Sequence, residues 1–503
     1  MPNQYVDKIL KAHVYDVAKE TPLDFAPVLS TRLDNKVFLK REDLQPVFSF
    51  KLRGAYNKMA SLTEAQKKQG VIAASAGNHA QGVALAAQKL GVHALIVMPK
   101  TSPPIKVKAV QRFGAKTELV GDTFDEAYAH AMALAKEKNF VFIPPYDDPE
   151  IIAGQGTVAM EILKQHPDPI DAIFVPVGGG GLIAGISAYV KYVRPEIRVI
   201  GVEPVDAACL YEALKHNKRV ALDQVGLFAD GVAVRQIGEE PFRVAKQCVD
   251  EVILVSSDEI CAAVKDIFDN TRSIAEPSGA VALAGLKKYV HRDKLAGKTL
   301  VAIDSGANVN FDRLRHIAER AELGERREAL LAVTIAEKPG SFRSFCKTLG
   351  KRALTEFNYR LSDPGNAYVF VGVELSKGDV EKDAIVQALE AADYPVLDMT
   401  DNEMAKLHIR HMVGGRIPVQ DERLFRFEFP ERPGALLNFL NHLGQNWNIS
   451  LFHYRNQGAA YGRVLVGIQV PAKDNPHFET FLKNLAYPFT EESDNPAYAI
   501  FLK

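Results

Sequence analysis

Four short segments of the chain hold residue types that can do chemistry together. The first is Ser49 to Ala55, SFKLRGA, with Lys51 between Phe50 and Leu52. A lysine in apolar surroundings gives up its charge more easily and offers a free, nucleophilic amine. A solvated surface lysine is the plainer reading, and the charged run LKREDL from Leu39 to Leu44 stands just before it. The second segment is Ala73 to Gly82, AASAGNHAQG, a turn of small residues that opens into a helix predicted over Val83 to Leu90. Backbone N–H groups and the positive end of a helix dipole suit an anion there, such as a carboxylate, while Asn78 also reads as an ordinary N-cap.

The third segment is Val177 to Gly185, VGGGGLIAG. Consecutive glycines let the backbone approach a phosphate closely and adopt conformations barred to other residues. A dinucleotide site is the rival, because Glu203 in GVEP follows at the end of the next strand, about 20 residues on. That rival wants GxGxxG, however, and an unbroken glycine run suits a compact terminal phosphate. The fourth segment is Asp304 to Asn308, DSGAN, whose Ser305 alone would pass for a loop hydroxyl.

The elements that must position these residues are those of a parallel sheet. From about residue 70 to 310, short β-rich runs alternate with amphipathic helical patterns, which predicts an α/β fold with helices on both faces. Strands are predicted over Val71 to Ala74, Ala94 to Met98, Phe140 to Ile143, Ile173 to Val177, Val199 to Val202, Val252 to Val255 and Leu300 to Ile303. Helices are predicted over Phe124 to Lys136 and Ser257 to Asn270, where apolar residues recur at three and four. In open α/β sheets ligands collect at the carboxyl ends of strands, where the segments stand. The loop AGQGT, Ala153 to Thr157, reads either as a wall of the substrate site or as the start of a helix.

Composition bounds the partners. At 503 residues the chain exceeds a single core. Its 61 Lys and Arg balance 62 Asp and Glu, which argues against nucleic acid as the main partner. The four cysteines, at 209, 248, 261 and 346, lack CxxC spacing and read as buried thiols in a reducing compartment. No apolar leader opens the sequence, so cytoplasmic residence is the expectation. Ala172 to Tyr189 carries no charge, but Pro176 and the four glycines make it a strand, a tight loop and a helix rather than a membrane span.

After the charge-rich stretch Arg313 to Arg327 an internal repeat appears at a shift of 94 or 95 residues. Leu330 to Gly350, LLAVTIAEKPGSFRSFCKTLG, matches Leu424 to Gly444, LFRFEFPERPGALLNFLNHLG. Each copy has an alternating strand, a Pro-Gly turn and a helix with apolar residues at 342, 345 and 349 or 436, 439 and 443. Tyr359-Arg360 corresponds to Tyr454-Arg455, and Val371-Gly372 to Val466-Gly467.

Taken in this order, SFKLRGA, SAGNHAQG, the tetraglycine and DSGAN resemble the fold-type II pyridoxal-phosphate enzymes, and most closely the threonine/serine dehydratases, over residues 1 to about 315. The repeated region resembles the paired ACT-like regulatory subdomains of the biosynthetic members. The resemblance implies two open parallel α/β lobes over residues 1–316, the small lobe at roughly 45–150 inserted in the large one. A linker at 317–327 and regulatory subdomains at 328–400 and 422–494 then follow.

It implies further that Lys51 carries pyridoxal 5'-phosphate on its amine and takes the substrate's Cα proton. Phe50, Gly178, Gly179, Gly180, Gly181 and Leu182 would belong to the cofactor site, the last five holding the phosphate. Asn78 would bond the ring hydroxyl and Ser305 face the pyridine nitrogen. Ser75, Gly77 and His79 would surround the substrate carboxylate, and no metal is needed. Glu203 and Glu276 are near-site candidates that read equally well as structural ion-pair partners. The implied reaction is loss of water and ammonia from L-threonine or L-serine, with isoleucine as inhibitor, valine as its opponent, and a homotetrameric assembly. Serine racemases and synthases of the same fold, or a non-catalytic amino-acid sensor on this scaffold, are the alternatives.

Overall fold

A computed structural model describes residues 2–336, 344–345, 348–349, 352, 354–359, 366–411, 420–430, 439, 442–443, 447–455 and 461–502. Both Pro-Gly turns of the repeat, with Phe342, Cys346, Arg360 and Leu436, lie outside these residues. The chain forms two compact units, Met1–Ala321 and Glu322–Lys503. The expected linker at 317–327 is helical as far as Gly324, because the helix Arg313–Gly324 runs through it. Its Ile317 and Ala321 are buried.

The first unit holds two sheets. Six strands run in the order Leu23–Phe25, Lys36–Arg41, Thr299–Asp304, Ala172–Pro176, Arg198–Pro204, Glu251–Val255. Only the first pair is antiparallel. The second sheet is all parallel, ordered Lys116–Leu119, Ala94–Met98, Val71–Ala74, Val141–Phe142, and forms the inserted lobe. Ala172–Pro176 and Ala94–Met98 are buried at every position, which is what strands covered by helices on both faces require. Among the described residues no helix is long and apolar enough to cross a membrane. The uncharged stretch from Ala172 divides into that strand, the glycine loop and the helix Gly181–Val193.

Two features depart from expectation. No strand was expected over Lys36–Arg41, whose charges hide it: Lys40 and Arg41 are buried and ion-paired. AGQGT is neither loop nor helix start; it lies in the middle of the helix Pro149–Gln165. Its glycines serve close packing, since a Cβ on Gly154 would stand 2.7 Å from the Gly54 Cα. The helix Lys51–Ala60 therefore crosses it nearly backbone to backbone.

The second unit builds the same motif twice. Strands Glu328–Ala336, Leu354–Tyr359, Asn366–Glu374 and Val396–Asp398 form one antiparallel sheet, with the helix Asp379–Glu390 before the last strand. Strands Glu422–Pro430, Asn448–Arg455, Tyr461–Gln469 and Phe489–Glu491 repeat it, with the helix Asn475–Leu485. Both sheets take the order second, third, first, fourth. Even the irregularities recur: the register shifts between Leu354 and Glu356 in one sheet and between Ile449 and Leu451 in the other. A shared core of Leu330, Phe370, Met399, Leu424, Leu465 and Tyr498 joins the two halves.

Candidate active site

The chemistry-bearing segments converge on one cavity. Phe50, Lys51, Asn78, Gly178, Gly179, Gly180, Gly181, Leu182 and Ser305 all line it, together with Tyr146, Gln155, Gly231, Glu276 and Ser278. Lys51 opens the helix Lys51–Ala60, with Phe50 as the preceding residue and its ring centroid 5.3 Å from the Lys51 Nζ. The chain before this helix is stitched to the DSGAN segment. Phe50 N–H donates to the Ser305 carbonyl at 3.3 Å, and Ala307 N–H donates to the Phe48 carbonyl at 2.8 Å.

Burial pushes the Lys51 ammonium down to about 8, against the opposing pull of the Glu276 carboxylate. The amine is nucleophilic only when unprotonated, so capture of an aldehyde by the apoprotein should accelerate as pH rises, with a midpoint near 8. Stopped-flow absorbance after mixing apoprotein with pyridoxal phosphate checks this. A midpoint near 10.5, the ordinary lysine value, would show that burial does not tune this amine.

The glycine run turns from the strand Ala172–Pro176 into the helix Gly181–Val193. Gly180 caps that helix at φ +89°, the left-handed region where side chains are strained, and no side chain caps the helix N-terminus. The first N–H groups of the helix have no partner within it and point their dipole at the cavity. Side chains have no room here: a Cβ on Gly179 would collide with the Tyr146 ring, and one on Gly178 would lie 2.9 Å from the Val232 Cα. A phosphate would meet bare backbone.

Asn78 begins the helix Asn78–Leu90. Its Nδ2 donates to Glu276 Oε1 at 2.6 Å, and its Oδ1 accepts from Asn308 Nδ2 at 2.7 Å. Burial pushes the Glu276 carboxyl up to about 7, with the nearby Asp230 adding to the rise. Ser305, at the end of the strand Thr299–Asp304, donates its hydroxyl to the Ser278 carbonyl at 3.3 Å. Its side chain is neutral, as the sequence implies.

The expected carboxylate-binding group is placed differently. Ser75, Gly77 and His79 are not among the residues lining the cavity. Ser75 Oγ accepts from the Gly77 N–H at 3.2 Å within the turn. His79 is buried, with its Nε2 2.9 Å from the Ile143 carbonyl, and burial pushes the ring down to about 4. A carbonyl only accepts, so the neutral ring carries its proton on Nε2 and serves the packing of the small lobe.

The two glutamates separate. Glu203 is fully buried and accepts the backbone N–H groups of Leu210 and Tyr211, each at 2.8 Å, so its role is structural. Glu276 belongs to the cavity wall. Tyr146 and Gly231 were missed because no local pattern marks them, whereas Gln155 lies in AGQGT, the segment read as a possible wall of the substrate site. Ser278 stood in plain view in EPSGA, where its Oγ accepts from the Gly231 N–H at 2.8 Å.

These residues fit pyridoxal phosphate: an amine whose charge the cavity disfavours, a side-chain-free glycine cradle at a helix N-terminus, and a neutral hydroxyl in the same lining. The site and the two-lobed parallel fold define a pyridoxal-phosphate-dependent enzyme. Comparison with known proteins agrees. Residues 14–306 match the pyridoxal-phosphate dependent enzyme family, and residues 319–409 and 413–502 each match the C-terminal regulatory domain of threonine dehydratase.

The chain is 56% identical over 504 residues to the biosynthetic L-threonine dehydratase of Burkholderia multivorans, with 99% of each chain covered. It is 56% identical over 501 residues to that of Escherichia coli, covering 99% of this chain and 97% of that one. Among solved structures, the processed form of threonine deaminase isoform 2 from Solanum lycopersicum aligns with a TM-score of 0.63 and 50% identity, over 64% of this chain and 93% of that one. The chain belongs to the biosynthetic threonine dehydratase family.

Proposed function

We propose that this chain removes water and ammonia from L-threonine, and from L-serine, giving 2-oxobutanoate or pyruvate. The observation that carries this reading is Lys51, its amine drawn down to about 8, in a cavity that a bare glycine cradle also lines. When bound, pyridoxal phosphate supplies an electron sink that makes the substrate's Cα proton removable.

The protein's own residues do the rest. Lys51 would hold the cofactor through its ε-amine and, when free, would take the substrate's Cα proton. Gly178 to Leu182 would hold the phosphate with backbone N–H groups. Asn78 would orient the ring through its hydroxyl. Ser305 would offer the ring nitrogen a neutral group, which would temper the electron sink and favour prompt loss of the β-hydroxyl. Ser75 and Gly77, in the partly exposed turn before Asn78, receive the substrate carboxylate, with His79 behind them. The released enamine hydrolyses to the oxo acid and ammonia.

The repeated second unit is read as the seat of feedback control. Two copies of one fold with a shared core form a module that an amino acid can bind, and isoleucine, the downstream product, lowers activity there while valine opposes it. The enzyme is placed at the first step of isoleucine biosynthesis, as a cytoplasmic homotetramer. The test is release of 2-oxobutanoate from L-threonine by the intact protein, repeated with isoleucine. Suppression by isoleucine is the expected result; release indifferent to it would overturn the control, and a colourless protein without release would favour a sensor.

A further inference from the structure

We propose that Asn308 is a positioning residue that fixes which end of the Asn78 carboxamide faces the cofactor ring. The proposal rests on the pyridoxal-phosphate reading of the cavity. An asparagine amide has two ends of similar shape, one donating and one accepting, and only its partners decide which way it points. Here the partners decide it from both sides.

On one side, Asn308 Nδ2 donates to the Val47 carbonyl at 2.8 Å. A backbone carbonyl has no hydrogen to give, so the Asn308 amide cannot be reversed without stranding that contact. Its second Nδ2 hydrogen goes to Asn78 Oδ1 at 2.7 Å. The Asn78 oxygen is thus turned to Asn308, which is not among the residues lining the cavity. On the other side, Asn78 Nδ2 spends one hydrogen on Glu276 Oε1. One N–H remains, and Asn78 lines the cavity. What it can present to a bound ring is a donor.

Glu276 by itself does not enforce this. Burial holds its carboxyl up at about 7, so near neutral pH a protonated Glu276 can donate to a reversed Asn78 as readily as an ionised one accepts from the amide shown. Asn308 removes that freedom. It ties together three segments of the site, since Val47 precedes the Lys51 helix, Asn78 opens the helix of the second segment, and Asn308 itself closes DSGAN.

The test is Asn308→Asp, which keeps the side chain's shape and reverses its polarity. An aspartate donates to neither Val47 nor Asn78; it would draw the Asn78 Nδ2 toward itself and turn the oxygen to Glu276. The expected result is a displaced visible band of the bound cofactor, and at least about ten-fold weaker cofactor retention on dialysis, the loss of one well-made hydrogen bond to a buried group. The unfolding temperature of the apoprotein should stay within a few degrees. Asn308→Ala makes the same test without a buried carboxylate and carries it should Asn308→Asp not fold. A variant with the wild-type band and retention would overturn the proposal, because shape alone would then suffice. A wild-type protein that takes up no cofactor at all would overturn the reading on which it rests, and the proposal with it.

Discussion

Lys51→Ala is expected to lower L-threonine turnover by at least about 10⁴-fold, the upper range for a positioned acid–base group, and to abolish the visible absorbance of the lysine-linked cofactor. Two losses compound. The variant has no amine to hold the cofactor covalently, and no base in place for the Cα proton. Burial disfavours the Lys51 ammonium by more than the Glu276 carboxylate favours it, which is why the group is drawn down to about 8, so removing the amine relieves more than it costs. The apoprotein should therefore unfold at a temperature no lower than that of the wild type. Burial of an amine that must shed its proton is a cost the fold carries for function, and alanine relieves it. Assays of 2-oxobutanoate with a full spectrum decide the matter. Turnover retained at even a tenth of the wild-type rate would remove Lys51 from the mechanism.

Much of this site was legible because its geometry depends on the main chain. The tetraglycine works by having no side chains, so four identical letters state the cradle outright. Lys51 stood out through its neighbours Phe50 and Leu52, and the desolvation that draws its amine down to about 8 is what those neighbours implied. The α/β strands were readable for a related reason: the interior strands are buried on both faces, so Ala94–Met98 and Val71–Ala74 appear as unbroken apolar runs. The repeat was visible because each copy keeps its own strand periodicity, down to the shared register shift.

What escaped has one physical cause, that tertiary partners cancel a residue's local character. His79 is held by the Ile143 carbonyl, 64 residues away, so its place behind the turn Ser75 to Asn78 is set by a partner the local sequence does not show. AGQGT pointed toward Gln155, but as part of a loop; Gln155 lines the cavity from the middle of a helix, because Gly54 and Gly154 let two helices approach closely. The strand Lys36–Arg41 escaped because nothing nearby in sequence reveals Glu161, the buried partner of Lys40. Asn308 carried no signal beyond the motif that contains it, since its partners Val47 and Asn78 lie 261 and 230 residues away.

The same hidden charges predict the largest effect on stability. Arg53→Leu is expected to cost about 3 to 5 kcal/mol, the range for stranding a buried ion pair. The Arg53 side chain is fully buried, two residues beyond Lys51 on the same helix. Its fork donates to both Glu42 oxygens at 2.8 Å each and to both Glu161 oxygens at 2.6 and 2.9 Å, with Thr157 Oγ1 at 3.0 Å. Lys40 supplies the second cation, donating to Glu161 at 2.7 Å. Burial alone would push the Glu42 carboxyl up, but Arg53 outweighs it and holds the group below its ordinary value.

Two cations against two carboxylates leave this interior cluster neutral. Taking Arg53 away leaves one buried negative charge with no counterpart in it, in a place without room for water to solvate the loss. The stranded carboxylates, and not the missing contacts of the leucine, should dominate the cost. Combining Arg53→Leu with Glu161→Leu therefore restores the balance and should destabilise by clearly less than the two single changes added together, as a denaturant double-mutant cycle would measure. Strict additivity would mean that the arginine contributes packing alone. The N-terminal turn of the Lys51 helix would then owe its place to the glycine contact with Gly154 rather than to charge.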